Sequence, residues 1–140
     1  MVARWCATAA NRNSYPPVVM NITDGEASDA GDGELLAAGG RIRDCATADG
    51  NVLLFNIHLA GGDPAPSPVC FPSSRGEVPS LPHAGLLYDM SSVVPSCYDE
   101  LVRESHPASL PPFRAIGYNC TMDELFGMLA IGTASSSFTL

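Results

Sequence analysis

The sequence predicts an α/β domain in three layers, a parallel sheet with helices on both faces. Two observations carry this. Short apolar runs alternate with stretches of helical spacing, in the order helix, strand, helix, strand, helix, strand, helix, and that alternation gives parallel strands joined by right-handed crossovers. The best strand, Asn51 followed by VLLFNIHLA, has one face of Val52, Leu54, Asn56 and His58 and another of Leu53, Phe55, Ile57 and Leu59. Both faces are largely apolar, as in a strand covered on two sides.

The elements follow in order. Residues 2–10, VARWCATAA, read as the end of a helix with Trp5 and Cys6 facing a core, stopped by Asn11-Arg12-Asn13-Ser14. No cap precedes it, so the expectation is a domain that continues upstream of Met1. Val18–Thr23, introduced by Pro16-Pro17, reads as a buried parallel-type strand. An acidic loop, DGEASDAGDGE, leads into a helix over Glu34–Asp49. Leu35, Ala38, Ile42, Cys45 and Ala46 form its apolar stripe, with Asp32 as the cap. Gly39-Gly40 weakens this helix by about 1 kcal/mol per glycine, and close packing on the sheet accounts for the pair. Residues 61–82 are proline-rich and read as irregular.

Two helical pieces, HAGLLYDMSS and SCYDELVRES, follow over residues 83–105 and break at Pro95. FRAIGYNC (113–120) is the third strand. Thr121-Met122-Asp123-Glu124 is a capping box opening a last helix through Ile131, with Gly132 as its stop. The organisation predicted is one domain over 1–133 and a frayed tail over 134–140. Ligands in such Rossmann-like sheets gather at the carboxyl ends of the strands, where Asp24 and His58 fall.

Composition narrows the chemistry. The 140-residue chain is 46% apolar, carries a net charge of −8, and draws all seven cations from arginine. The absence of lysine removes the Walker-type phosphate lysine, the Schiff base and the serine–lysine nucleophile. Scattered arginines in an acidic chain argue against nucleic acid and anionic membranes as partners. Five cysteines at 6, 45, 70, 97 and 120 show no zinc spacing and suit free thiols in a reducing compartment. With neither a secretion signal nor a transmembrane run in view, the expected location is the cytoplasm.

The acidic residues admit several readings. A loop counted from Asp24 places Asp29 where an EF-hand needs glycine and Leu35 where it needs a bidentate glutamate, so Glu26, Asp29, Asp32 and Glu34 read as a solvated loop with helix capping. Asp24 alone could be a turn aspartate bonded to backbone amides. His58 reads as a hydrogen-bonded core histidine, while His83 and His106 fall beside prolines with nothing assigned to pair with them. No GxSxG elbow is present.

VVMNITDGE, with the acidic loop, helix and second strand that follow, resembles the von Willebrand factor type A domain. FRAIGYNCTMDELFGMLAIGT is similar to that family's last strand and closing helix, in its intracellular bacterial form. The likeness covers residues 15–60 and 113–133 and is not visible over 61–112. It implies that Asp24 is an acidic member of a metal-ion-dependent adhesion site, with Thr23, Gly25 and Glu26 forming the binding turn. It also implies magnesium or another divalent cation as cofactor, and a protein partner presenting a carboxylate.

The family's Asp-X-Ser-X-Ser motif is absent, and its threonine element would lie before Met1. The chain therefore reads as the carboxyl-terminal portion of such a domain, with magnesium bound weakly or not at all by this chain alone. The missing half could be supplied by another polypeptide. The strand at 18–23, which in the family pairs with an upstream strand, is expected to be an open edge prone to association. Two alternatives stand beside the binding module: a small hydrolase using Asp24 and His58, and a structural or interaction remnant without metal.

Overall fold

The computed structural model describes residues 1–25, 30–61 and 67–134. Glu26 and Asp29 of the acidic loop and residues 135–140 of the tail lie outside the described residues. The chain has a Rossmann-like α/β fold, a four-stranded sheet flanked by helices. The elements are α1 (Val2–Ala7), β1 (Val18–Thr23), α2 (Asp32–Arg43), a small hairpin of β2 (Ala46–Thr47) and β3 (Gly50–Asn51), and β4 (Leu53–Leu59). There follow β5 (Val69–Cys70), α3 (Pro82–Met90), α4 (Asp99–Ser105), β6 (Ile116–Cys120) and α5 (Met122–Gly132).

The sheet order is β1-β4-β6-β5. β1, β4 and β6 are parallel, as expected, but β5 runs antiparallel to β6, so the sheet is mixed rather than purely parallel. The reason lies in the connection. Nine residues separate the end of β4 from β5, and only a crossover of a dozen or more residues can restore the parallel direction. Phe71 follows β5 with φ of 51°, a left-handed conformation that is rare for a bulky residue. Its ring is buried and meets Phe55 edge to face, with centroids 6.2 Å apart.

Strand alternation sorts the core into two halves. On one face Phe55, Ile57, Phe71, Val102, Phe113, Leu125, Met128 and Ile131 pack together, with Val18 and Met20 of β1 against them. This is the side of α4 and α5. On the other, Ile116 and Tyr118 of β6 pack against Val78, Ala84, Leu87 and Tyr88, around α3. Gly132 lets α5 settle on the sheet, since a Cβ there would strike the end of the Met20 side chain. Gly39 packs close too, but against Met90 of α3 rather than the sheet.

Three local expectations need correction. Helix α2 ends at Arg43 rather than Asp49, because Asn51 Nδ2 donates to Arg43 O at 2.9 Å while Ala46–Thr47 pair with Gly50–Asn51 in a hairpin turning at Ala48-Asp49. Gly50 has φ of 135°, reached readily without a Cβ. Asp32 is the first helical residue; the cap is Gly31, whose N–H donates to Glu34 Oε2. In α1, Cys6 is buried while Trp5 is 39% exposed rather than facing the core. The capping box at Thr121 is present: its N–H donates to Glu124 Oε2 at 2.6 Å and its hydroxyl oxygen accepts from the Glu124 N–H at 3.4 Å.

Candidate functional site

The carboxyl ends of β1, β4 and β6 meet at one end of the sheet. The β1–β4 register sets Thr23 opposite His58, which carries the turn after β1 to the end of the second strand. Thr23 closes that turn on itself. Its hydroxyl donates to Gly25 O at 2.7 Å and accepts from the Gly25 N–H at 3.2 Å, a hydroxyl-capped turn that leaves the following carboxylate unengaged by it. Asp24 points into solvent as an exposed residue.

His58 is half-buried and held on two sides. Its Nδ1 accepts from the Asn119 N–H at 3.3 Å, which leaves the neutral ring's proton on Nε2. Its ring stacks on Tyr118, with centroids 4.4 Å apart and planes 13° from parallel. Asn119 makes the bond from a left-handed conformation, φ 56°, at the irregularity where the β4–β6 register shifts between Ile57 and Leu59. His83, in the first turn of α3, approaches His58 edge to face at 5.3 Å. The His58 pKa is lowered, first by burial, then by the neighbouring His83, and Asp24's charge opposes both. Among the described residues no hydrogen bond joins His58 to Asp24.

Beside this end lies a cleft of about 410 Å³ bordered by Thr23, Gly25, Asp32, His83, Leu86 and Met90, among others. It runs between the β1 turn, the start of α2 and the length of α3. His83 Nε2 is buried without a hydrogen-bond partner among the described residues. Beneath the cleft a chain of side-chain bonds crosses the sheet. Asn21 Nδ2 donates to Asn56 Oδ1 at 3.0 Å, Asn56 Nδ2 to Ser91 Oγ at 3.0 Å, and Ser91 Oγ to Leu87 O at 2.6 Å. Asn56 is fully buried, and this chain satisfies its amide while tying β1 through β4 to the end of α3.

Among the described residues no group of three or more His, Cys, Asp or Glu side chains converges. The Thr23 hydroxyl is engaged with Gly25, and magnesium retains its water against a single carboxylate. Glu26, the last member of the expected turn, lies outside the described residues.

Of the sequence-predicted residues, the fold brings Thr23, Asp24, Gly25 and His58 to one end of the sheet. Sequence reasoning missed Tyr118, Asn119 and His83. Tyr118 and Asn119 fall in a strand already recognised, and His83 falls in a helical piece already recognised, begun by Pro82 at its first position; what the sequence did not show is their approach to His58. No helix among the described residues is long and apolar enough to cross a membrane. No family model, curated protein or solved structure matches this chain.

Proposed function

We propose that this chain is a protein-binding module of the von Willebrand type A kind that takes a second polypeptide along the open edge of β1. The observation that carries the reading is the position of β1: among the described residues it pairs on one side only, with β4, and it ends in the exposed Asp24. Ile22, at its carboxyl half, is 46% exposed. An edge strand with unpaired N–H and C=O groups and an apolar side chain in solvent is a template for strand addition. The added strand would supply the hydroxyl and carboxylate oxygens absent here, so any cation site belongs to the pair of chains. Cytoplasmic location belongs to the same reading.

The test is peptide display against the chain, with and without magnesium, followed by the variants Ile22→Lys and Asp24→Ala. A lysine at position 22 blunts the edge without touching the core. Extended peptides captured by the parent and lost on Ile22→Lys support the reading; equal capture by that variant overturns it. Magnesium-dependent capture should disappear in Asp24→Ala with the circular dichroism spectrum unchanged. In calorimetry the isolated chain should show no stoichiometric uptake of magnesium, and tight uptake would overturn the shared-site reading.

A further inference from the structure

Of the five cysteines, all free, two have sulfurs in contact: Cys70 Sγ and Cys120 Sγ lie 3.6 Å apart. They are far apart in sequence and come together through a specific distortion of the sheet. Cys70 on the edge strand β5 pairs with Gly117 on β6, and Cys120 is three residues further along β6. In a regular strand Cys120 would point to the opposite face from residue 117. The left-handed Asn119 breaks that alternation. The Cys120 sulfur consequently sits over Gly117, on the face that Cys70 shares.

Gly117 is what makes room. A Cβ there would lie 2.5 Å from both Cys120 Sγ and Met128 Sδ, closer than any real contact. The two thiols differ in access: Cys120 is buried, at 2% exposure, while Cys70 is half-buried on a two-residue edge strand. The hydrogen bond between them favours thiolate on Cys70 and holds the proton on Cys120, whose own ionisation is pushed far up by that bond and by burial. An accessible thiol with thiolate character beside a buried resolving thiol is the arrangement that forms a disulfide under oxidation. The other three lack such a partner: Cys6 is buried, Cys45 donates to Arg41 O, and Cys97 is exposed on the α4 side.

We infer that Cys70 and Cys120 form an oxidation site, in which a hydroperoxide converts the thiol pair to an intramolecular disulfide bridging β5 and β6. The Cys70 thiolate attacks the terminal peroxide oxygen. The S–O bond forms as the O–O bond breaks, and the departing alkoxide or hydroxide takes up a proton to leave as alcohol or water. Cys120 then attacks the Cys70 sulfur. The S–S bond forms as the S–O bond breaks, and the Cys120 proton leaves with the hydroxyl as water. The thiol pair loses two electrons and the hydroperoxide gains them. Closing from 3.6 Å to a bond of about 2.05 Å falls mainly on β5, the shorter edge element. This inference is independent of the binding role proposed for β1.

The full chain is treated with hydrogen peroxide at low molar excess, then counted for thiols and weighed intact. The expected product is a monomer with two fewer thiols and the mass of two hydrogens lost. Cleavage after arginine places Cys70 in the 44–75 peptide and Cys120 in the 115–140 peptide, and these two should become linked. Cys45 shares the first peptide, so Cys45→Ser should retain the link and Cys70→Ser should abolish it. In Cys120→Ser the sulfenic acid should persist at Cys70 and be trapped by dimedone. Should that buried substitution fail to fold, the Cys45→Ser and Cys70→Ser pair still decides. Retention of all thiols, a link between molecules, or a link through Cys45 would each overturn the assignment.

Discussion

Asn56 offers the sharpest measurement of how the sheet is held beneath the cleft. Its side chain has no exposure to solvent, accepts from Asn21 and donates to Ser91. Asn56→Ala removes both bonds, at about 1 kcal/mol each. Ser91 still donates to Leu87 O and Asn21 is exposed, so neither partner is left with a stranded donor. Total loss should be about 2–3 kcal/mol with the small cavity included. Asn56→Asp keeps the shape but changes the chemistry. One carboxyl oxygen still accepts from Asn21, while the other faces a Ser91 hydroxyl whose proton is committed to Leu87.

Only the protonated acid can bond to that hydroxyl, so the folded-state pKa of the new carboxyl lies above its unfolded value of about 3.9. The native state then binds more protons than the unfolded one. The variant's stability is retained below the unfolded pKa and lost as pH rises towards the folded pKa, by about 1.4 kcal/mol per pH unit. If burial raises the pKa by about 3 units, the penalty is about 1.5 kcal/mol at pH 5 and about 4 kcal/mol at pH 7.5. Both conditions avoid the isoelectric point near 4.5. Urea unfolding followed by far-ultraviolet circular dichroism gives both values. A difference from the parent that stays within about 0.5 kcal/mol across the two conditions, or an alanine variant costing less than that, would refute the network's role.

The remaining expectations address the site and its supports. The His58 ring should titrate in proton NMR below the ordinary histidine value of about 6.5, because burial and His83 both disfavour its charge. Asp24→Asn removes the opposing influence and should lower the midpoint further; a midpoint above the ordinary value contradicts the packing described. Since the folded pKa is depressed, His58 supports the fold above about pH 6.5 and that support fades as pH falls through this range to the folded pKa. Gly117→Ala should lower the melting temperature, at a cost of about 1–3 kcal/mol, because its methyl collides with Cys120 and Met128. Gly127→Ala, in α5 where a Cβ meets nothing within 4 Å, should raise it, with a gain of about 0.5–1 kcal/mol in stability, so equal effects at the two glycines would contradict the packing described for β6.

Much of the fold was legible because its elements are locally consistent. Val18–Thr23 is a strand over the residues its apolar run marks, and the Thr121–Glu124 box opens a helix where the capping chemistry requires one. What was not legible depends on contacts distant in sequence. Val69-Cys70 is too short to show a period, and its strand state rests on pairing with Tyr118 and Gly117. The end of α2 was overrun because Cys45 and Ala46 extend its helical stripe, while what wins is the pairing of Ala46–Thr47 with Gly50–Asn51 across a turn at Ala48-Asp49. At the site, the turn after β1 and the end of β4 were visible, but the stacking of Tyr118 on His58 was not. It rests on a register shift and a left-handed asparagine, for which a strand-forming stretch carries no local mark.

The Thr23 hydroxyl decides how the two proposals relate. Donating to and accepting from Gly25, it fixes a turn that points Asp24 outward, so the chain presents a carboxylate without surrounding it. A carboxylate so placed is left to ligands from elsewhere, at the end of a strand whose outer edge is equally unfilled. The opposite edge of the sheet carries β5, where a disulfide between Cys70 and Cys120 would fasten the strand from within. The two proposals thus place addition at β1 and closure at β5, on opposite edges of one sheet. If both readings hold, peroxide treatment should leave peptide capture at β1 unchanged to within a factor of about 2, because β4 and β6 stand between the two edges and independent sites contribute additively. A larger change in capture on oxidation would mean that β6 transmits the strain of the S–S bond through Asn119 to His58 and the β1 turn.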